Sequence, residues 1–347
     1  MRFGITIGSK GPQLHPQALI DMKAIGLTDL RFQVPGSLIA PSPNTFNWGL
    51  WDDAVSKANA AGVNLTLTIK QLAPFMLGAD GYPDPQHAAS FASMIAGRYD
   101  GKSGNGKIDV LEMGNEDYNL SSTFAFAQLA AAMSAVYPAA KSANPDLIVT
   151  PGSLLQRNTA NIKQAVDVLW QNAAGKFDAL NFHFYTGIPG NGSIDPSDGS
   201  LANIPNFPQY VQAIQGVNAS HGQPDFPIWC TEFGFPVTNS FGRDPRTIVT
   251  EAVQWSNLKY LYDQAASLGV DRMYAFTLGY ATPSPDGMSL VQANGHQTLA
   301  YTGLKSYIAG GTPTPTPTPP PVPTPTPTSQ VINLTNFTGT ITITPSS

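Results

Sequence analysis

Eight times between Phe3 and Leu278 a short β-type run gives way to a longer helical pattern, and few folds accommodate that rhythm. The strand candidates are FGITI from Phe3, LRFQV from Leu30, VNLTLTI from Val63, IDVLEM from Ile108, LIVTP from Leu147, FDALNFHF from Phe177, FPIWCTEF from Phe226 and DRMYAFTL from Asp271. Helical patterns between them include HPQALIDMKAIG, WGLWDDAVSKANAAG, the alanine-rich TFAFAQLAAAMSAVYPAAKSA, NIKQAVDVLWQNAAG, PQYVQAIQGVNASHG and TIVTEAVQWSNLKYLYDQAASLG. Several of these end in glycine just before the next strand, at Gly26, Gly62, Gly175 and Gly269, where a left-handed C-cap is easiest. Strands separated by helices pair in parallel through right-handed crossovers. Eight such units fit a closed (β/α)8 TIM barrel better than an open doubly wound sheet, which has fewer strands and a phosphate-binding glycine turn. The first turn, GITIGSKGPQ, lacks the GxGxxG spacing, so no nucleotide site is expected. One α/β barrel over residues 1–310 is the expectation.

Composition narrows the function classes. Hydrophobic residues make up 42% of the 347, enough for a sizeable core, while charged residues are only 12%, which excludes a coiled coil or a charge-driven disordered chain. A net charge of -5 argues against nucleic acid as a partner. The single cysteine, Cys230, forms no intrachain disulfide, and no Cys/His cluster has zinc spacing, so neither metal nor cofactor is expected. No apolar run is long enough to span a membrane. The opening MRFGITIG reads as a strand and not as a secretion signal, which leaves removal of a leader, another export route or residence inside the cell. Past Lys305 the chain carries no charge, and residues 311–329 form a Pro/Thr-rich linker, TPTPTPTPPPVPTPTPT from Thr312. Proline locks φ and removes amide donors, so this is an extended spacer of roughly 50 Å. Residues 330–347 alternate like a strand but are too short to fold alone, and read as a frayed tail or the start of a truncated module. Such a linker suits an accessory module or anchoring partner.

In a TIM barrel the chemistry sits at the C-terminal ends of the strands. The residues there are Arg31 and Gln33, Lys70 and Gln71, Asn115 and Glu116, His183 and Tyr185, Glu232, and Thr277 with Tyr280. Two carboxylates stand out, Glu116 closing LEMGNE and Glu232 closing PIWCTE, on the fourth and seventh strands. Glycosidic cleavage needs such a pair, one acid for the leaving oxygen and one carboxylate for the anomeric carbon. A separation of about 5–5.5 Å lets the second attack directly with retention, and wider spacing admits a water and inverts. The acid has to be protonated when the substrate arrives, which a neighbouring negative charge favours.

GNE at the end of strand four and TEFG at the end of strand seven resemble the clan A glycoside hydrolases, retaining enzymes on this barrel. The resemblance covers nearly all of residues 1–310 and extends to RFQVP, FNWGLWDDAVSKANAAGVNL, HFY and DGMSLVQANGHQTLAY, with the look of the cellulase-like families 5 and 39. It implies Glu116 as general acid/base, Glu232 as nucleophile, Asn115 on the sugar's 2-hydroxyl, Arg31 orienting the nucleophile, and His183 with Tyr185 lining the subsite around it. Where many clan members close strand eight with a tryptophan platform, this chain has Phe276-Thr277.

Each of these residues also has a plain structural reading: a mouth-side ion pair for Glu116, Glu232 or Arg31, a loop cap for Asn115, a core position for His183. Alternation places Phe182 and Phe184 on the face opposite His183, and Cys230 on the same face as Glu232, as a small packing residue. Trp48 and Trp51 pack inward or against a loop, Trp170, Trp229 and Trp255 belong to the core, and His15 is a candidate to reach the cleft. His87, His221 and His296 are expected at the surface or in packing. Asp117 and Tyr118 follow the acid in its loop, and Asp195 and Asp198 sit in a polar loop better read as solvated than as a calcium site. The long segment from Thr186 to Asn206 is expected to form a cleft wall suited to a polymer. The reading as a whole is a retaining hydrolase of β-glycosidic bonds in a largely neutral poly- or oligosaccharide, working outside the cell. The alternatives are a non-catalytic glycan-binding barrel, as in an adhesin or virion component, and an exo-acting β-glycosidase.

Overall fold

The computed structural model describes residues 1–7, 14–116, 123–154, 159–185, 206–238, 248–279, 287–292 and 294–310. The linker at 311–329, the tail at 330–347, the segment 186–205, Asp117, Tyr118 and Tyr280 lie outside these residues. Eight strands form one sheet: β1 (Arg2–Ile7), β2 (Asp29–Pro35), β3 (Asn64–Lys70), β4 (Val110–Met113), β5 (Ile148–Pro151), β6 (Leu180–Tyr185), β7 (Ile228–Gly234) and β8 (Arg272–Phe276). Neighbours pair in parallel in the order β5-β4-β3-β2-β1-β8-β7-β6. The remaining seam closes through Leu154, just past β5. Its N–H donates to Asn181 O at 3.0 Å, and its own carbonyl accepts from His183 N at 2.9 Å. The result is the (β/α)8 TIM barrel expected from the alternation.

Around it run α1 (Pro16–Ile25), the single turn α2 (Gly36–Ile39), α3 (Gly49–Ala60), α4 (Pro85–Arg98), α5 (Thr123–Ala143), α6 (Thr159–Ala173), α7 (Asn206–Ser220), α8 (Glu251–Ser267) and α9 (Leu299–Ile308). The glycine stops behave as anticipated. Gly26 takes φ +94° and its N–H returns to the carbonyls of Met22 and Lys23, a conformation that costs a residue with a Cβ more than it costs glycine. The helix α4 goes beyond those named from the sequence. Its signal is Asp84, whose carboxylate caps the N–H groups of Gln86 and His87, followed by Pro85 in the first turn. Among the described residues no helix is long and apolar enough to cross a membrane.

Strand alternation sorts the side chains into an outer layer against the helices and an inner layer inside the barrel. Phe182 and Phe184 pack on Phe207 and Tyr210 of α7, outside, which turns His183 inward. Trp51, Trp170, Trp229 and Trp255 are buried, and Trp48 stacks on Phe46 with the Arg98 guanidinium against its ring.

One strand breaks the alternation. Cys230 pairs with Phe182 and Glu232 with the very next residue, His183, so β7 carries one extra residue opposite β6. A register shift in the same stretch marks its pairing with β8. Cys230 is buried toward Tyr262 of α8, whereas Thr231 and Glu232 both reach groups inside the barrel. The expectation that Cys230 shares a face with Glu232 is therefore corrected: the β-bulge resets the period between them. Without it, strict alternation from the outward Cys230 would carry on, and its two-residue mate Glu232 would face the helices.

Candidate active site

The barrel interior below the mouth is polar, and its centre is a carboxylate that the sequence reading passed over. Glu112, mid-strand in β4, is fully buried. Register places it beside Thr68 on β3 and Thr150 on β5. One of its oxygens accepts from Arg31 Nε at 2.5 Å and Thr68 Oγ1 at 2.5 Å. The other accepts from Ser153 Oγ and from Asn181 Nδ2 at 3.0 Å. Burial by itself pushes such a carboxyl up, but the Arg31 charge and the hydrogen bonds from Arg31, Ser153 and Thr68 outweigh it and hold Glu112 below the usual carboxylate range. Arg31, equally buried, is correspondingly held above its ordinary value by Glu112 and Glu232, against the opposing pull of burial.

This hub carries a stability prediction. In Glu112→Gln the new amide has to turn its NH2 toward donors, Arg31 and Thr68 or Ser153 and Asn181, and the guanidinium loses a buried counter-charge. Arg31 keeps Glu232 as a second counter-charge, so the cost is that of mismatched buried hydrogen bonds, about 1–3 kcal/mol near neutral pH, read from denaturant midpoints. The native group titrates lower folded than unfolded, so its contribution is complete above the unfolded value of about 4.3 and fades as pH falls below it. The gap between native protein and variant should accordingly narrow from pH 6 to pH 3. A gap that stays constant would mean the carboxylate is not the group responsible.

Arg31 passes the order of the hub up to the mouth. Its Nη1 donates to Glu232 Oε1 at 2.6 Å and its Nη2 to Asn115 Oδ1 at 2.8 Å. Gln33, two residues on along the inward face of β2, donates from Nε2 to Glu232 Oε1 and, at 2.9 Å, to Asn115 Oδ1. The second oxygen of Glu232 accepts from the Tyr185 hydroxyl at 2.6 Å. Glu232 is thus 4% exposed with both oxygens held.

Glu116 differs. Its side chain is 27% exposed, and Oε1 lies 2.6 Å from His183 Nδ1. The other ring nitrogen, Nε2, is 3.7 Å from Glu232 Oε1, so the imidazole stands between the two acids. One oxygen of Glu116, one nitrogen of His183 and one oxygen of Glu232 all lie within 4.8 Å of one another. Glu116 also takes φ +34°, a left-handed conformation in which a residue with a side chain is strained by about 1–2 kcal/mol. Gly114 and Gly152 let the ends of β4 and β5 approach closely beneath it, and a Cβ on Gly152 would sit 2.9 Å from the Gly114 backbone. The half-buried Phe276 ring stands edge-on to Tyr185 at 6.3 Å, making an aromatic wall at the end of β8.

The six residues to which the resemblance gave roles, Arg31, Asn115, Glu116, His183, Tyr185 and Glu232, therefore meet in one cluster. His15 does not join them: it is exposed, and its Nδ1 caps α1 by accepting from Gln17 N at 3.2 Å. His87, His221 and His296 bond to Asp84, Asp167 and Glu251 on the outside. Asp195 and Asp198 lie outside the described residues. The members the sequence reading missed, Glu112, Thr68, Ser153 and Asn181, left one usable signal, a glutamate at an inward position in the middle of an apolar strand. The donors of Glu116, His183 and Glu232 are also close enough to be drawn round a metal ion.

No protein-family model matches the chain, and no curated protein does. Solved structures are similar across most of it. A family 39 glycoside hydrolase from the gut symbiont Bacteroides cellulosilyticus WH2 superposes with TM-score 0.65 at 15% identity, covering 87% of this chain and 62% of that one. A glucosidase from Croceicoccus marinus gives TM-score 0.64 at 16% identity over 87% of this chain and 66% of its own. The hyperthermostable endo-1,4-beta-D-mannanase from Thermotoga petrophila RKU-1 gives 0.65 at 14% identity over 89% and 99%. This chain spans less than two thirds of the first two. At these identities the likeness establishes the barrel fold.

Proposed function

We propose that this chain is a retaining glycoside hydrolase, with Glu232 as nucleophile and Glu116 as general acid/base. The observation that carries the proposal is the pair of carboxylates within 4.8 Å in unlike surroundings. That spacing fits direct attack and is too narrow for the 6.5–9.5 Å gap, roughly, that an inverting enzyme keeps for its water. Glu232 is walled in by Arg31, Gln33 and Tyr185, donors that favour a carboxylate held at one angle. Glu116 touches His183 and is open enough for a leaving group and then a water to reach it. Similarity to structures named as a glycoside hydrolase, a glucosidase and a mannanase supports the same class.

In the first step a Glu232 oxygen bonds to the anomeric carbon as the glycosidic bond breaks, and the departing oxygen takes the Glu116 proton. In the second, Glu116, now a base, takes a proton from water. The water oxygen bonds to the anomeric carbon and expels Glu232. Asn115 holds the 2-hydroxyl, Arg31 and Tyr185 keep the nucleophile aligned, and His183 keeps Glu116 in place. The chemistry asks for no cofactor. The substrate is a poly- or oligosaccharide, and the setting is extracellular, with the linker free to carry an accessory module or an anchor.

The test is reducing-end release from a panel of neutral and acidic β-glycans, with the first-formed anomer followed by proton NMR. Release with the β-anomer appearing first is expected. First appearance of the α-anomer would remove the covalent role of Glu232, and binding to the glycans without release would replace the enzyme with a glycan-binding barrel.

A further inference from the structure

Gln33 stands where three charged or polar groups of the mouth meet, and its amide can face them in one way. It is 4% exposed, on the inner face of β2. At one end of the amide lies Lys70 from the tip of β3, with Nζ 3.5 Å from Gln33 Oε1. An ammonium can only donate, so the atom it meets has to be oxygen. At the other end lies the Glu232 carboxylate, which can only accept, so the atom it meets has to be the NH2. Two constraints of opposite kind therefore select the same orientation. The NH2 so placed also reaches Asn115 Oδ1, which Arg31 Nη2 approaches as a second donor. The Asn115 carbonyl oxygen accepts from two protein donors, so a contact from this amide to a substrate hydroxyl runs through its nitrogen.

We propose that Gln33, its amide set by Lys70, is a positioning residue that aligns two things together: the attacking carboxylate of Glu232 and the amide of Asn115 that grips the adjacent 2-hydroxyl. This rests on the glycoside hydrolase reading above. It adds that the two contacts, to the anomeric carbon and to its neighbour, are coupled through one side chain. Removing Gln33 takes away one of the donors that Asn115 Oδ1 receives beside Arg31 and one of those on Glu232 Oε1, so both groups are held less tightly. The 2-hydroxyl contact should then contribute less to the transition state.

The coupling has a readout that a merely structural role does not move. Steady-state kcat and KM would be measured on 2,4-dinitrophenyl β-glucoside, the matching β-mannoside, and the 2-deoxy glycoside that the two share, for the native protein, Gln33→Leu and Lys70→Met. Gln33→Leu should lower kcat/KM on the 2-hydroxylated sugars by roughly 10–100-fold. On the 2-deoxy sugar the loss should be much smaller, so that discrimination between the two collapses by about tenfold or more. Lys70→Met, which removes the donor on the amide oxygen while leaving Gln33 in place, should act in the same direction by roughly 3–10-fold. A proportional slowing of every substrate, with the ratio unchanged, overturns the proposal, and collapse in Gln33→Leu alone overturns the part given to Lys70. If Gln33→Leu does not fold by circular dichroism, the half-buried Lys70 supplies the same ratio test. Native protein inactive on every glycoside removes the hydrolase reading and this inference with it, whereas an active native protein with unmoved ratios removes this inference alone.

Discussion

Glu232→Gln should lose at least on the order of 10⁴-fold in turnover, about 5 kcal/mol of barrier, while the barrel keeps its stability. The chemical loss follows because an amide cannot form the glycosyl ester. Structural tolerance follows from the bonding around it. The new carbonyl oxygen can accept from Arg31 and Gln33, and the new NH2 can donate to the Tyr185 oxygen, since a phenol both donates and accepts. Arg31 retains Glu112 as a counter-charge, so no unpaired ion is left in the interior. Rates on a reactive aryl glycoside beside denaturant midpoints separate the two effects. A variant that keeps a tenth of native turnover would sink the assignment, and one that unfolds would mean that Glu232 holds the mouth together and that the charge arithmetic above is wrong.

Glu116→Ala tests the other half, with a signature that loss of structure cannot imitate. On glycans, whose leaving groups need a proton, the variant should fall by roughly 10²–10⁴-fold. On a 2,4-dinitrophenyl glycoside, whose leaving group needs none, the first step should survive and the covalent intermediate should accumulate. Added azide should then restore turnover, because it attacks the intermediate without base help. It should yield the β-glycosyl azide, since it enters from the face opposite Glu232. The corresponding Glu232→Ala variant should give the α-azide, from the face the carboxylate has vacated. The anomer thus assigns each acid to its face of the sugar. Two variants yielding the same anomer, or no azide effect in Glu116→Ala, would dismantle the pairing. Alanine keeps the Cβ that is strained at φ +34°, so Glu116→Ala gains no stability there, whereas Glu116→Gly, which has none, should be more stable than Glu116→Ala by about 1 kcal/mol in denaturant midpoints.

The parts of this molecule that read out of the sequence are those governed by local rules. Helix periodicity and glycine stops such as Gly26 mark where elements begin and end, because capping and left-handed φ are decided within a few residues. Eight repeats of one unit then leave little choice but a closed barrel, and the barrel dictates that Glu116 and Glu232, at the ends of β4 and β7, face one mouth. The flanking phenylalanines of His183 likewise announce its direction by alternation alone.

What the chain does not announce is what depends on closure. Alternation puts Cys230 and Glu232 on one face, yet the extra residue in β7 separates them, and a bulge is a property of two paired strands, not of either sequence. Glu112 reads as one polar residue in an apolar run. Its four donors come from β2, β3, β6 and Ser153 just past β5, strands brought round it only when the sheet curls shut. Gln33 and Lys70 look like ordinary polar strand ends until their neighbours are known, because an amide takes its orientation from the donors and acceptors on either side. By itself, then, the sequence determined the barrel and the two strand ends that supply the acids. Tertiary structure decided which way Glu232 points, what holds Arg31, and how Gln33 is turned, since those depend on register and on contacts between residues up to 201 positions apart.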